Sequence, residues 1–161
     1  MKRFTQQEIA ALQKHFRGSR FIERTERVAG REFNYFILPQ SCNPDLFDFV
    51  LRATGEPGEE YVLGISDSIP GVQRPFPVFH EYVEFMEIGD VPDRCARALE
   101  IELAQVPEGL KPAYIPRRTR FFRNLMEQAR LKPEVYLFSE GDMQELQASL
   151  EVLEGLKENR Q

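Results

Sequence analysis

Apolar residues recur at three- and four-residue intervals over much of the chain and cluster in shorter aromatic or β-branched runs elsewhere, a mixture that predicts an α+β fold. Thr5 and Glu8 make a capping-box pair, Ile9, Leu12 and Phe16 form a stripe, and Gly18 stops the first helix. Residues 20–28 and 31–38 read as a β-hairpin turning near Ala29-Gly30, with the aromatic run Phe33 to Leu38 as its stronger strand. Asn43-Pro44 suits an N-cap and first turn, and predicts a short helix through Leu46, Phe47, Phe49, Val50 and Leu51 to Gly55. Glu56-Pro57-Gly58 breaks the chain before a third strand at 61–65.

A loop rich in Pro and Gly covers roughly 68–77. A helix ending near Gly89 follows, and Pro92 opens another that runs to about Val106. Pro107, Gly109, Pro112 and Pro116 predict an irregular connector near 107–116. Two more helices are expected near 117–131 and 140–158, the second capped by Ser139 with Asp142 three residues on. The expectation is a single domain over 1–161, with a small sheet of about three strands, one hairpin among them, and about six helices.

The chemistry concentrates in His80-Glu81-Tyr82-Val83-Glu84. In the pattern H-E-x-x-H two histidines one helical turn apart bind zinc and the first glutamate activates water. His80 and Glu84 keep that spacing and Glu81 keeps the general-base position. At about 100° per residue, Phe79, Tyr82, Val83 and Met86 form an apolar stripe, and His80, Glu84 and Glu87 fall within roughly 60° on its flank.

Two neighbouring helices carry matching anomalies. Cys95, Ala98, Leu99, Leu103 and Val106 make one apolar face, with Glu102 inside it. Phe121, Phe122, Leu125, Met126 and Ala129 make the other, with Arg118 inside it. A carboxylate on an apolar face is costly to bury unless it is paired or bound to a cation. So His80, Glu84 and Glu102 either supply a nitrogen and two carboxylates to Zn²⁺ or Mn²⁺, or Glu102 pairs with Arg118 or His80 in a polar network.

From residue 5 to 106, the order helix, hairpin, strand, motif helix, glutamate-bearing helix resembles the zincin-type metallopeptidase scaffold. That resemblance implies His80 as first ligand, Glu81 as general base and Glu102 in place of the third ligand. Glu84 stands where the family has its second histidine, so the motif is degenerate.

Composition narrows the function classes. The formal net charge is −5 over 161 residues, against the basic footprint of a nucleic-acid binder. No apolar run reaches the length of a membrane span, and no apolar segment follows Met1-Lys2-Arg3 as in a secretory signal. Two cysteines do not make a disulfide scaffold, so a reducing cytoplasm is the expected setting. Arg117, Arg120 and Arg123 form a basic row that reads as a solvated face, or as a dock for an anion or acidic partner. Cys42 precedes a predicted helix and reads as a structural free cysteine or as a nucleophile paired with His80; Cys95 reads as core. Met143, Leu146, Leu150, Leu153 and Leu156 make a stripe that packs on its own domain or serves as a homodimer or partner face.

Two functional readings follow. One is a non-catalytic α+β domain acting through protein contacts. The other is a small metal-dependent hydrolase, with His80, Glu84 and Glu102 on the metal and Glu81 as base.

Overall fold

The computed structural model describes residues 5–43, 45, 48, 50–54 and 60–158, and its architecture is α+β. Helix α1 (Gln6–Gly18) begins with the expected capping box. The Glu8 N–H donates to Thr5 Oγ1 at 3.2 Å and the Thr5 N–H donates to Glu8 Oε2 at 2.8 Å, so two backbone donors with no partner inside the helix are satisfied. Strands β1 (Ile22–Val28) and β2 (Arg31–Leu38) form the hairpin. Its turn places Ala29 at φ 50° and Gly30 at φ 79°. Successive left-handed residues match the twist of the strands, and glycine takes that conformation without strain.

The next segment departs from expectation. Residues 50–54 form strand β3 (Val50–Thr54), paired antiparallel with β4 (Tyr61–Ser66), in place of the end of a helix. The remaining described part of that region holds only a short 3-10 turn at Gln40–Cys42; positions 44, 46, 47, 49 and 55–59 lie outside the described residues. A short apolar run carries no period that separates helix from strand, and β4 offered these residues a full ladder of backbone partners. Among the described residues the sheet therefore has four strands in the order β1-β2-β4-β3, with β2 and β4 parallel and the other pairs antiparallel.

Both faces of the sheet are covered. Phe36 of β2 and Val62 of β4 join Ile9 and Phe16 of α1, with the Phe16 and Phe36 rings 5.3 Å apart. Phe33, Tyr35, Leu63 and Ile65 meet Val78, Phe79 and Val83 of the motif segment instead, with Phe79 stacked on Phe33.

The motif segment is α2 (Pro75–Tyr82) running into a π-helical turn, Val83–Ile88. It ends at Gly89, whose φ of 78° lets its N–H reach back to the Glu84 carbonyl at 3.0 Å. Helix α3 (Arg94–Gln105) follows, then α4 (Lys111–Leu131). The connector expected over 107–116 is thus corrected: α4 is helical from Lys111. Pro112 lies in its first turn, where a missing N–H removes no helical bond. Pro116 lies inside the helix and forfeits one bond, a cost of roughly 3 kcal/mol. Burial of Tyr114, Ile115, Thr119 and Phe122 along the same helix offsets it.

A short helix α5 (Pro133–Tyr136) leads to α6 (Glu140–Glu158), which starts from the predicted Ser139–Asp142 pair, with the Asp142 N–H donating to Ser139 Oγ at 3.1 Å. The α6 stripe packs on its own domain: Leu146, Leu150 and Leu153 are buried in one cluster with residues of α3 and α4. No helix among the described residues is long and apolar enough to cross a membrane.

Candidate functional site

His80 closes the last turn of α2 and its imidazole is buried, so both ring nitrogens must find partners inside the protein. Nδ1 points toward α3, where Glu102 Oε2 lies 2.9 Å away. That is an ion-pair distance, with the N–H too far off line to count as a hydrogen bond. Glu102 is itself fully engaged. Arg118 of α4 donates from Nε and Nη2 to its two oxygens, each at 2.9 Å, in the bidentate geometry that suits guanidinium and carboxylate. The Tyr114 hydroxyl makes a short hydrogen bond to Oε1. All four of these side chains are buried. The Arg118 guanidinium also stands 5.0 Å from the Phe122 ring centroid and 5.3 Å from that of Phe121, which packs its faces. This is the polar network that the two misplaced charges, Glu102 and Arg118, imply in the sequence.

Nε2 faces the other way. Glu84 Oε2 lies 3.1 Å from it and Cys95 Sγ 3.5 Å from it. Glu84 Oε1 is held by Arg94 Nε at 3.2 Å, an ion contact in which that Nε finds no hydrogen bond. These groups line one wall of a cavity of about 230 Å³ whose other walls include Phe121, Phe122, Leu125, Tyr136 and Phe138. The Arg52 and Arg94 guanidiniums, which also line it, lie over the Phe85 ring at 3.6 Å and 4.7 Å from its centroid.

The π turn explains the shape of this side. A π turn advances less rotation per residue than an α turn, so residues beyond Val83 lag behind their α-helical positions. Glu84 remains beside His80, whereas Glu87, which the α-helical spacing places on the same flank, turns outward and pairs with Arg31 at 2.9 Å. Such turns recur at functional sites.

Burial and partners set the charge states. Burial disfavours both carboxylate anions, but Arg118 and His80 outweigh it for Glu102 and hold that group below the usual carboxylate range. Glu84 is likewise held down against burial, by His80, Arg52 and Arg94. Burial works against charging His80, yet the Cys95 sulfur, Glu102 and Glu84 outweigh it and lift the imidazole well above its ordinary value. Burial, then Glu102, pushes the Tyr114 phenol well up, so it remains a donor.

The other sequence candidates separate from this centre. Glu81 also lines the cavity, but Arg52 donates to it at 2.8 Å. Arg117, Arg120 and Arg123 do not present one free row. Arg117 is half-buried and pairs with the buried Asp48 at 3.1 Å, while Arg123 pairs with Glu154 at the surface. Arg120 is exposed and also has a partner. The thiol that reaches His80 is that of Cys95, whereas Cys42 is exposed in its turn.

Sequence reasoning missed Arg52, Arg94, Tyr114 and the role of Cys95. Arg52 was hidden by the helix expected across β3, and Tyr114 by the connector expected across the start of α4. Comparison with protein-family models, curated proteins and solved structures finds no match.

Proposed function

We propose that this chain is a non-catalytic binding domain that works through the cavity beside the motif helix and the apolar rim next to it. The observation that carries the reading is the cavity itself: about 230 Å³, with a charged wall on one side and phenylalanines on the other. An apolar cleft with a few convergent polar groups is the usual form of a binding site. Tyr136 and Phe138 line it, and their chain neighbours Val135 and Leu137, together with Leu131 at the end of α4, are more than half exposed. Exposed apolar residues next to a cleft favour a protein partner that seats an apolar side chain in it.

The hydrolase reading with His80, Glu84 and Glu102 as ligands and Glu81 as base has less support. Glu102 would have to release Arg118 and Tyr114, and Glu81 would have to leave Arg52. The test is a screen of small apolar fragments by amide NMR on the full chain. Perturbations centred on Phe122, Leu125, Tyr136 and Phe138, and abolished in Leu125→Phe, are expected. Binding confined to other surfaces would contradict the reading. So would metal-dependent turnover of peptide or ester substrates that disappears in Glu81→Gln.

A further inference from the structure

The three donors on the cavity side of His80 form a set that the H-E-x-x-E string does not contain. His80 Nε2, a carboxylate oxygen of Glu84 and Cys95 Sγ all lie within 4.8 Å of one another, and all three residues are buried. We propose that these three groups bind a divalent ion of the zinc class, with Glu102 as the positioning residue behind the imidazole and not as a ligand.

The distances carry the assignment. In a tetrahedral zinc site the ligand atoms lie about 3.4 Å apart for a nitrogen–oxygen edge and about 3.6 Å for a nitrogen–sulfur edge, from ordinary bond lengths. The corresponding separations from His80 Nε2 are 3.1 Å to Glu84 Oε2 and 3.5 Å to Cys95 Sγ. Two edges of the polyhedron are therefore already set by the fold.

The surroundings supply the second argument. A metal-bound imidazole normally has a carboxylate or carbonyl at its other nitrogen, which fixes the ring and makes the donor more basic. Here Glu102 is 2.9 Å from Nδ1, and Arg118 holds Glu102 with two hydrogen bonds. Arg94 occupies the second oxygen of Glu84, leaving Oε2 directed at the ring nitrogen. Nitrogen, oxygen and sulfur together suit a borderline-soft ion such as Zn²⁺ better than Mg²⁺ or Ca²⁺.

Binding exchanges protons for the ion. The hydrogens on Nε2 and Sγ leave to solvent as a dication enters, so the charge of the cluster is conserved. Three protein donors leave a fourth position, which faces the cavity and takes a water or a donor atom of a ligand. Only that last statement rests on the cavity being a binding site.

The test is titration of the full chain, stripped with chelator and kept reduced, with Co²⁺ as a spectroscopic stand-in and then with Zn²⁺. One equivalent of Co²⁺ is expected to give a sulfur-to-cobalt charge-transfer band and the intense visible bands of a four-coordinate ion, both erased by Zn²⁺. Cys95→Ser removes the charge-transfer band, and Glu84→Gln weakens binding while keeping it. Glu102→Gln keeps the band and lowers affinity roughly 10- to 100-fold, as expected of a group behind a ligand. Circular dichroism first verifies that each variant is folded. No saturable binding, or binding unchanged in Cys95→Ser, overturns the proposal. Metal bound without fragments in the cavity leaves this inference standing and removes the binding-domain reading; fragments without metal do the reverse.

Discussion

The two sides of the His80 ring have opposite characters although both carry a glutamate. On the Nδ1 side Glu102 has His80, Arg118 and Tyr114 around it, all buried, in a cluster closed by α4. On the Nε2 side Glu84 shares its oxygens between the ring and Arg94, whose Nε has no hydrogen bond, and the group borders a cavity. The first arrangement pairs its charges and satisfies both Glu102 oxygens, with only the His80 Nδ1–H off line, and its burial resists change. The second leaves the Arg94 Nε–H without a hydrogen bond and borders a cavity, so another atom can approach the ring from that side.

The largest expected effect breaks the closed side. Glu102→Gln leaves the Arg118 guanidinium buried without an opposite charge, and is expected to cost about 3–5 kcal/mol in urea denaturation. Arg118→Met is expected to cost a similar amount. The double variant should be less destabilised than the sum, because the two residues are direct partners. Additive losses would mean that the pair is not coupled as described. Tyr114→Phe removes one hydrogen bond to Glu102 and is expected to cost about 1–3 kcal/mol.

The pH dependence of stability in chelated protein sharpens the contrast between ring and carboxylates. His80 titrates higher folded than unfolded, so its contribution is complete below about pH 6.5 and is lost as pH rises toward the folded value. Glu84 and Glu102 titrate lower folded than unfolded, so theirs is complete above about pH 4.5 and is lost as pH falls. Maximum stability is therefore expected between those limits, and His80→Gln should flatten the alkaline limb and weaken the acid limb as well, because His80 helps hold both carboxylates down. An alkaline limb unchanged in that variant would show that another group causes it. The smallest effect belongs to the surface: Arg123→Ala, which breaks the exposed pair with Glu154, is expected to change stability by no more than about 0.5 kcal/mol.

How much of this was legible in the sequence follows the same division. Glu102 and Arg118 could be read because a charge on an apolar helical face must find its opposite, and the two faces meet. The hairpin and both capping boxes could be read because their signals are local. Of the open side, only the His80–Glu84 spacing could be read. Its Arg52 comes from a strand whose five residues carry no distinguishing period, and Cys95 occupies a core position that says nothing about where its sulfur points. The π turn, which separates Glu84 from Glu87, has no sequence signature of its own. The zincin resemblance points to the helix that carries the buried cluster and assigns Glu102 to a metal, whereas Glu102 is engaged by Arg118 and Tyr114.

The most direct test uses the imidazole itself, which is easily observed because the chain has only two histidines. Long-range nitrogen–proton NMR of ring-labelled protein resolves Nδ1 from Nε2 of His80 while Zn²⁺ is added. A closed Nδ1 side and an open Nε2 side predict that Nε2 loses its proton and shifts as the metal binds, while Nδ1 stays protonated beside Glu102. A metal-induced change at Nδ1, or no change at either nitrogen, would contradict the account.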